Sequence, residues 1–294
     1  MNVLVTGATG TVGAHVVRAL RERDVAPRAF VRDPERAALV LGETVELAVG
    51  DFADRDSLER ALRGTDRLFL ACANVPDQVA HEVAAIDAAK AAGVGRIVKL
   101  SGPRASLDSP LIFERWHGEI ERHLLRSGLP SVRLRPSAYM TNLLAFAGTI
   151  TQMGKLFAPA GTAEIAYVDP RDVAAAAAAA LTADGHEGRT YALTGPAAVT
   201  YAQIAQALSD AAGRRIDYVD VPGDAARQAM LEAGLPAMVA DAIVDVYASY
   251  RAGSMTRTTD GVRALTGREP GTFARFARDH GALFGAGEVV LESA

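Results

Sequence analysis

Residues 3–13 read VLVTGATGTVG, and this stretch decides the fold class. A run of apolar and β-branched residues predicts a buried strand, and Gly7, Gly10 and Gly13 follow it with the spacing G-x-x-G-x-x-G. In a strand-to-helix turn, the first glycine permits the tight bend, the second lets the backbone approach a pyrophosphate, and the third lets the helix pack closely on the strand. A purely structural turn is the alternative, although it needs fewer glycines. The motif therefore predicts a dinucleotide site, and its predicted contacts are Gly7, Thr9, Gly10, Thr11, Val12 and Gly13.

Alternating strand and helix patterns continue through the first half of the chain. The predicted strands are almost continuously apolar, as expected for a parallel sheet that is covered by helices on both faces. They are Asn2–Thr6, Pro27–Val31, Val45–Val49, Leu68–Ala71, Arg96–Leu100 and Ser131–Leu134. Repeated strand–helix units of this kind predict an α/β fold, a Rossmann-like doubly wound parallel sheet, with a smaller C-terminal substrate lobe.

The predicted domains are not continuous in sequence. We expect a dinucleotide-binding domain over residues 1–138 that the chain rejoins by about 165–195, with strands at Ile165–Asp169 and Arg189–Thr194. An alanine-rich run at 174–180 predicts a closely packed helix.

The smaller substrate-binding lobe is predicted over residues 139–164 and 196–294. It contains helical patterns at Thr200–Ala212 and Ala225–Arg251, and Ile216–Val221 is predicted as a strand. The substrate cleft is expected at the carboxyl ends of the strands, between the lobes. The last ten residues, Gly285–Ala294, have no helical pattern, and we expect them to be loosely held.

The composition excludes several classes of protein. The 294 residues include 31 lysines and arginines and 35 aspartates and glutamates, a formal net charge of −4, so the basic surface of a general nucleic-acid binder is not expected. Cys72 is the single cysteine, which excludes a disulfide framework within the chain and a cysteine-rich zinc site. The histidines do not cluster with carboxylates at the spacing of metal ligands, so no metal is predicted.

Neither a secretory nor a membrane segment is expected. The N-terminal residues MNVLVTGATG include no basic segment followed by a long apolar run, and the longest apolar run, 174–180, is too short to span a bilayer. We therefore expect a cytoplasmic protein, a monomer or homodimer, with a small-molecule substrate and neither nucleic acid nor a membrane as partner.

The end of the second predicted strand selects between the two nicotinamide cofactors. Arg32 lies where an acidic residue usually binds the ribose of NAD(H), and its guanidinium can pair with the 2′-phosphate of NADP(H). Asp33 next to it leaves NAD(H) possible, and Arg32 as a solvated loop charge is a further alternative. NADP(H) is the favoured cofactor.

Two further strand ends provide predicted cofactor contacts. Asp51 follows the third strand and can accept a hydrogen bond from the adenine amino group; alternatively, it caps the helix that begins near Asp56. The backbone of residues 71–74 follows the fourth strand and would flank the adenine ribose and the nicotinamide. Besides Arg32, the predicted contacts outside the glycine loop are Asp51, Phe52, Ala71, Cys72 and Ala73.

Several motifs resemble those of the NmrA-like family of atypical short-chain dehydrogenases/reductases. They begin with T-G-A-T-G-x-x-G at 6–13 and V-R-D-P at 31–34. Further matching segments are Lys99–Ser101, His117–Glu121, Ser127–Leu129, Arg135–Pro136, Tyr139–Asn142, Asp169–Ala174, Leu193–Pro196 and Leu265–Arg268. The resemblance covers nearly the whole chain. It implies NAD(P)H-quinone or azo-dye reduction, or cofactor binding by a sensor without turnover.

The same resemblance draws attention to a missing catalytic pair. Ordinary members of the superfamily use Tyr-x-x-x-Lys on the helix after the fifth strand, and the matching positions here are Phe113 and His117. Phe113 has no proton to donate. His117, with an ordinary pKa of about 6.5, could donate a proton or bind a developing oxyanion. A surface histidine that is satisfied by Glu121 is the alternative.

Ser101 and Tyr139 complete the predicted catalytic set with His117. Ser101 is placed like the family's substrate-side serine, although it could equally bond to the loop. Tyr139 is a candidate proton donor or a wall for a flat ring, and Asn142 a polar anchor; a packing role is the alternative for each. The predicted substrate contacts are Phe113, Trp116, Met140, Asn142 and Phe146, with Met153 and Phe157 as further lining.

A quinone-like acceptor fits a site without the tyrosine–lysine pair. Hydride transfer to a quinone gives a hydroquinone anion that takes a proton from water, so the protein mainly holds the nicotinamide against the acceptor and excludes water. We expect an NADPH-dependent reductase of a quinone-like or other conjugated aromatic molecule. The alternatives are a non-catalytic NAD(P)-binding redox sensor, and an epimerase or isomerase whose base would be His117 or Asp169.

Overall fold

A computed structural model describes residues 1–285, and the contacts within the chain divide it into two compact units. The first unit comprises Met1–Pro136, Pro170–Leu193 and Asp260–Arg268, and the second comprises Ser137–Asp169, Thr194–Thr259 and the residues from Glu269 onward. Besides shifts of one or two residues at other boundaries, the predicted domains differ from these units in two places. The chain re-enters the first unit at Pro170 and not at residue 165, and Asp260–Arg268, expected in the smaller lobe, belongs to the first unit.

The regular elements follow in chain order. The strands are β1 (Val3–Val5), β2 (Pro27–Val31), β3 (Glu46–Val49), β4 (Arg67–Leu70), β5 (Arg96–Leu100), β6 (Ser131–Pro136), β7 (Lys155–Ala158), β8 (Glu164–Ile165), β9 (Thr190–Leu193), β10 (Val199–Thr200) and β11 (Asp217–Asp220). The α-helices are α1 (Gly13–Arg21), α2 (Pro34–Leu41), α3 (Arg55–Leu62), α4 (Gln78–Ala91), α5 (Ile112–Ser127), α6 (Ala147–Met153), α7 (Pro170–Thr182), α8 (Tyr201–Ala212), α9 (Gly223–Glu232), α10 (Ala237–Arg251), α11 (Gly261–Thr266) and α12 (Phe273–Asp279). Two 3₁₀ helices cover Met140–Phe146 and Gly281–Phe284.

The first unit is built on a seven-stranded sheet with the order β3-β2-β1-β4-β5-β6-β9. Every neighbouring pair in it is parallel, so the predicted doubly wound α/β fold is confirmed. The chain moves outward from β1 to β3 and then crosses to β4, which makes the β1–β4 boundary the switch point of the sheet. In open α/β sheets, ligands bind at this point, beyond the carboxyl ends of the strands.

The alanine-rich helix α7 packs against this sheet and against α1. Its residues 173–180 are all at most 8% exposed. Alanine side chains allow a helix to approach its neighbours closely, and they lose no rotamer freedom on burial. The run is therefore a core helix, as predicted.

The second unit contains two short sheets of its own. The predicted strand Ile165–Asp169 does not return to the main sheet, because β8 pairs antiparallel with β10 instead. β11 pairs parallel with β7. The predicted helix over 225–251 is interrupted between α9 and α10. Gly234, with φ +86°, follows the end of α9, and Pro236 directly precedes α10. Apart from Gly285, the tail for which a loose structure is predicted lies outside the described residues.

No helix within residues 1–285 is both long enough and apolar enough to cross a membrane.

Candidate functional site

The turn after β1 is held by hydrogen bonds to the end of β4. Thr6 Oγ1 accepts a hydrogen bond from the Ala71 amide (2.9 Å) and donates to the Ala71 carbonyl oxygen (2.9 Å). Gly7 has φ +59°, and a Cβ atom there would lie 3.0 Å from the same carbonyl oxygen. A Cβ atom on Gly13 would lie 2.1 Å from the Gly7 carbonyl oxygen, so only glycine fits where α1 meets the turn. The turn is thereby fixed at the switch point of the sheet.

The start of α1 presents a positive end without an anionic side chain of its own. Val12 is the N-cap residue, and its apolar side chain cannot accept a hydrogen bond from the first-turn amides. The first turn contains no acidic residue, and Gly10 and Thr11 are exposed. Because the helix dipole and the first-turn amides both attract negative charge, this end of α1 suits a phosphate group.

Arg32 and Asp33 follow β2 but have different surroundings. The Arg32 side chain is 81% exposed, and its Nε lies 3.9 Å from Asp51 Oδ2. Asp33 is the N-cap of α2, and its Oδ1 accepts a hydrogen bond from the Arg36 amide (3.0 Å). One oxygen of the Asp33 carboxylate is thus bound to the helix, whereas the Arg32 guanidinium is open to solvent. This geometry favours Arg32 as the residue available to an anionic ligand.

Asp51 lies in a local turn and does not cap the next helix. Its Oδ1 accepts a hydrogen bond from the Ala53 amide (2.8 Å). The N-cap of α3 is Asp54, which accepts from the Ser57 amide (3.3 Å), so the alternative that Asp51 caps this helix is wrong. Asp51 Oδ2 faces Arg32, which places two of the predicted cofactor residues side by side.

Phe52 and Cys72 are brought together through His81. The Phe52 ring stacks on His81 with a centroid separation of 5.9 Å and meets Phe30 edge-on at 5.7 Å. Cys72 Sγ lies 4.0 Å from His81 Nδ1. Burial raises the pKa of the Cys72 thiol to about 11, which favours the neutral thiol over the nucleophilic thiolate. Of its neighbours, Ala71 is buried and Ala73 is exposed.

His117 lies on α5 with its ring buried, 8% exposed, and Nδ1 3.3 Å from Lys99 Nζ. Burial, together with the positive charges of Lys99 and Arg135, holds the pKa of His117 well below its ordinary value of 6.5. This direction disfavours His117 as a proton donor with an ordinary pKa and leaves open the expected hydrogen bond to a developing oxyanion. The alternative of a surface histidine paired with Glu121 is wrong, because the ring is buried against Lys99.

Glu121 forms a separate buried group with Ser101 and Arg135. Ser101 Oγ donates to Glu121 Oε1 (2.6 Å), and the Arg135 guanidinium donates to both oxygens of the same carboxylate (2.9 and 2.6 Å). Arg135 also donates to the Ala105 carbonyl oxygen (3.0 Å), which fastens the loop after β5. The hydroxyl proton of Ser101 is thus committed to Glu121, and this hydrogen bond links the end of β5 to α5.

Phe113 and Trp116 form an aromatic pair on the first turns of α5. Both side chains are half-buried, and their rings meet edge-on with a centroid separation of 5.5 Å. Glu114 between them is buried and accepts hydrogen bonds from Ser109 Oγ (2.5 Å) and Arg104 Nε (3.0 Å). The start of α5 is therefore anchored to the preceding loop while the two aromatic rings stay partly accessible.

The remaining predicted residues belong to the second unit. Burial raises the pKa of the Tyr139 phenol, which makes it a weak acid and disfavours it as a proton donor. Met140 is 1% exposed and lies in the core of this unit, so its prediction as a substrate contact is not supported. Asn142 is exposed, and Phe146 meets Tyr201 edge-on at 6.5 Å. Of the further predicted lining residues, Met153 is 58% exposed and Phe157 is half-buried.

The sequence reasoning missed the ion pair that stands behind His117. Lys99 Nζ lies 2.8 Å from Glu82 Oε2, and both side chains are fully buried. Lys99 inside an apolar strand was the available signal in the sequence. Its partner Glu82 lies in α4, whose many alanines predict only close packing. Within residues 1–285, no group of three or more His, Cys, Asp or Glu side chains is arranged to hold a metal.

The parallel sheet, the glycine turn at its switch point and the uncapped start of α1 define a dinucleotide-binding class of α/β protein. The chain belongs to the NmrA-like family, whose model matches residues 1–262. The resemblance found in the motifs is thereby confirmed.

Named relatives extend the comparison over almost the whole chain. An NAD(P)H azoreductase of Xenophilus azovorans is 41% identical over 284 residues, 97% of this chain and 99% of the relative. A (4-alkanoyl-5-oxo-2,5-dihydrofuran-3-yl)methyl phosphate reductase of Streptomyces griseus is 40% identical over 96% of this chain and 99% of its own length. The crystal structure of an NADPH-dependent quinone oxidoreductase of Escherichia coli, complexed with NADPH, superposes with a TM-score of 0.86 at 31% identity, covering 94% of this chain and 99% of that one.

Proposed function

We propose that this protein is an NADPH-dependent reductase that transfers hydride to a quinone-like or other conjugated small molecule. The observation that carries the proposal is the similarity, over at least 94% of the chain, to three reductases whose names specify an azo compound, an unsaturated furanone and a quinone. These three acceptors share an electron-poor conjugated π-system, which is the chemical feature that a hydride attacks.

The residues of the first unit fit a dinucleotide phosphate cofactor. NADPH supplies the hydride when it is bound. Gly7 and Gly13 allow the close approach of backbone that forms the turn before α1, and the first-turn amides of α1 would bind a pyrophosphate there. The exposed Arg32 would pair with the 2′-phosphate, because Asp33 is bound to the amide of Arg36 as a helix cap.

The acid–base properties of the site agree with an acceptor that needs no strong acid. Phe113 stands where the superfamily has a tyrosine, and it carries no proton. Burial raises the pKa of Tyr139, and burial with two neighbouring cations lowers the pKa of His117. A hydroquinone anion can take its proton from water, so the chain's task is to bind, orient and shield the reactants.

A panel of acceptors tests the proposal. Purified protein is mixed with NADPH and with a benzoquinone, an azo dye or an unsaturated lactone, and loss of NADPH absorbance is followed. We expect oxidation of NADPH with at least one conjugated acceptor and with none of the matched saturated ketones. Tight NADPH binding without turnover of any acceptor would instead favour the redox sensor. Interconversion of a substrate without net NADPH consumption would favour the epimerase or isomerase.

The proposal also covers the cellular location, the assembly state and the partners of the protein. We propose a cytoplasmic protein, because the single Cys72 allows no disulfide within the chain, and a monomer or homodimer that acts on small molecules without nucleic acid or membrane. Size-exclusion chromatography with light scattering distinguishes the two assembly states.

A further inference from the structure

Lys99 occupies an unusual position at the end of β5. Its side chain is fully buried, and three acceptors surround its Nζ atom: the Glu82 carboxylate (2.8 and 3.2 Å), the Leu100 carbonyl oxygen and His117 Nδ1 (3.3 Å). An ammonium group has three N–H donors and no acceptor. The surroundings therefore match a protonated lysine, with one donor for each neighbouring group.

Glu82 balances this charge from α4. The carboxylate is fully buried, and Gln78 Nε2 donates a hydrogen bond to its Oε1 (3.1 Å). The ion pair offsets the cost of burying the ammonium, and Glu82 Oε2 is held by this ion pair without a hydrogen bond from residues 1–285. The Lys99–Glu82 pair thus keeps the positive charge of Lys99 Nζ next to His117 Nδ1.

This charge determines which nitrogen of His117 carries the proton. Because Lys99 Nζ can only donate, Nδ1 must accept, and the ring proton then lies on Nε2. The opposite edge of the ring is also fixed, since a Cβ atom on Gly102 would lie 2.7 Å from His117 Cδ2. The ring is therefore held from two sides in one tautomer.

The other charged groups around His117 do not favour a second ring proton. Arg135 on β6 adds positive charge, and burial and the two cations together lower the pKa of the ring. Glu121 on α5 is bound to Arg135 and Ser101, Glu114 to Arg104 and Ser109, and Glu82 to Lys99. The Cys72 thiol beside this group is neutral, because burial raises its pKa. Each nearby carboxylate is thus engaged by a partner other than His117.

We propose that Lys99 and Glu82 are positioning residues that hold His117 as a neutral imidazole with its proton on Nε2. Resting on the proposed reductase function, the inference is that His117 donates a hydrogen bond from Nε2 to the oxygen or nitrogen on which negative charge develops in the acceptor. A neutral donor of this kind needs no titration and acts without giving up its proton. It replaces the missing tyrosine as an electrostatic partner and not as an acid.

The tautomer can be measured without substrate or cofactor. In protein labelled with ¹⁵N-histidine, long-range ¹H–¹⁵N correlation spectra distinguish Nε2–H from Nδ1–H, and the spectrum of His117→Gln assigns the His117 signals. We expect a neutral Nε2–H ring that does not titrate between about pH 5 and pH 8. An Nδ1–H tautomer, or titration near the ordinary pKa of about 6.5, would overturn the inference.

A double variant tests the role of the ion pair. Glu82→Gln with Lys99→Met replaces the pair by neutral groups of similar size, which avoids leaving one buried charge alone. In this variant we expect His117 to titrate closer to its ordinary pKa and the pH profile of kcat to gain a step in the same range. A double variant whose His117 tautomer and titration match the wild type would contradict the proposal. If the double variant does not fold, the wild-type spectrum still decides.

The tests separate this inference from the proposed function. If NADPH oxidation is found but His117→Gln keeps the wild-type kcat, the donor role is wrong and the reductase function stands. If no conjugated acceptor is reduced, the proposed function fails whatever tautomer the spectrum shows.

Discussion

At Gly13 the backbone leaves room for a hydrogen atom and nothing larger, since a Cβ atom would lie 2.1 Å from the Gly7 carbonyl oxygen. Gly13→Ala must therefore displace the start of α1 from the turn. We expect a loss of about 1–3 kcal/mol in the free energy of unfolding and weaker NADPH binding. Urea unfolding and a fluorescence titration measure the two effects.

Gly148 is the matched control for this substitution. It lies in α6, and an added Cβ atom there would meet nothing within 4 Å. Gly148→Ala should stabilise the protein by up to about 1 kcal/mol, because alanine is the better helix former. Equal effects of the two substitutions would show that crowding at Gly13 is not the cause.

Arg32 is the single side chain that we propose to determine the choice of cofactor. Arg32→Ala removes the guanidinium proposed to bind the 2′-phosphate, and charged hydrogen bonds of this kind contribute about 1.5–3 kcal/mol. We expect NADPH affinity to fall about 10- to 150-fold and NADH affinity to stay within about twofold. Isothermal titration with both cofactors checks the difference.

Arg122 on α5 provides a control for the loss of a positive charge. Its side chain is exposed, and Arg122→Ala changes the net charge by the same amount. We expect both affinities to stay unchanged in that variant. If Arg32→Ala weakens NADPH and NADH binding equally, the assignment of Arg32 to the 2′-phosphate is wrong.

At the scale of elements, α7 depends on small side chains. Ala177 is fully buried in the segment that packs between the sheet and α1. Ala177→Leu inserts three carbon atoms into a close-packed contact, and we expect a loss of about 1–3 kcal/mol in the free energy of unfolding. Ala202→Leu on the exposed side of α8 should change stability by less than about 0.5 kcal/mol. Equal changes in the urea midpoints of both variants would refute close packing as the reason for the alanine run.

Individual elements also show where sequence reasoning succeeds and where it fails. The six strands of the first half are predictable because each is a short apolar run between glycine, proline or polar turns. The stretch Ile165–Asp169 has the same pattern, but a run of this length does not specify its pairing partner, and β8 pairs with β10 in the second unit. Gly234 and Pro236 indicate the break between α9 and α10, but the helical periodicity of the stretch favoured one continuous helix.

The candidate site likewise contains one part that the sequence predicts and one part that it does not. The glycine turn is predictable because its residues are adjacent in sequence and each has a distinct physical requirement. The group around His117 is not, since Glu82, Lys99 and His117 come from three elements whose packing decides their contacts. Burial then changes the chemistry expected of His117, because an ordinary pKa applies only to a solvated ring.

At the scale of the whole molecule, His117 contributes to the pH dependence of stability. Its pKa is lowered in the folded protein, so below about pH 6.5 the unfolded chain binds a proton that the folded chain does not. Stability should therefore decrease as the pH falls from about 7 to 5, by at most about 1.4 kcal/mol per pH unit for this group. Urea unfolding of wild type and His117→Gln over this range measures the contribution.

The comparison with His117→Gln isolates this residue from His186. The pKa of His186 is also lowered, mainly by partial burial, and it contributes a slope of the same sign to both proteins. We expect the slope to be shallower in His117→Gln. Identical slopes would show that the His117 ring is protonated as readily in the folded protein as in the unfolded chain.

The division of the first unit into three chain segments has a consequence for its synthesis. Strand β6 has an unpaired edge until β9 joins it, and β9 is translated only after the segment Ser137–Asp169 of the second unit. Helix α11 is translated later still, after most of the second unit. On the ribosome, the sheet therefore cannot be completed from the N-terminal 136 residues. Until α7 and β9 have emerged, the edge of β6 and the face of α1 that α7 covers are available for wrong pairing, and we expect the nascent chain to be prone to aggregation over that interval.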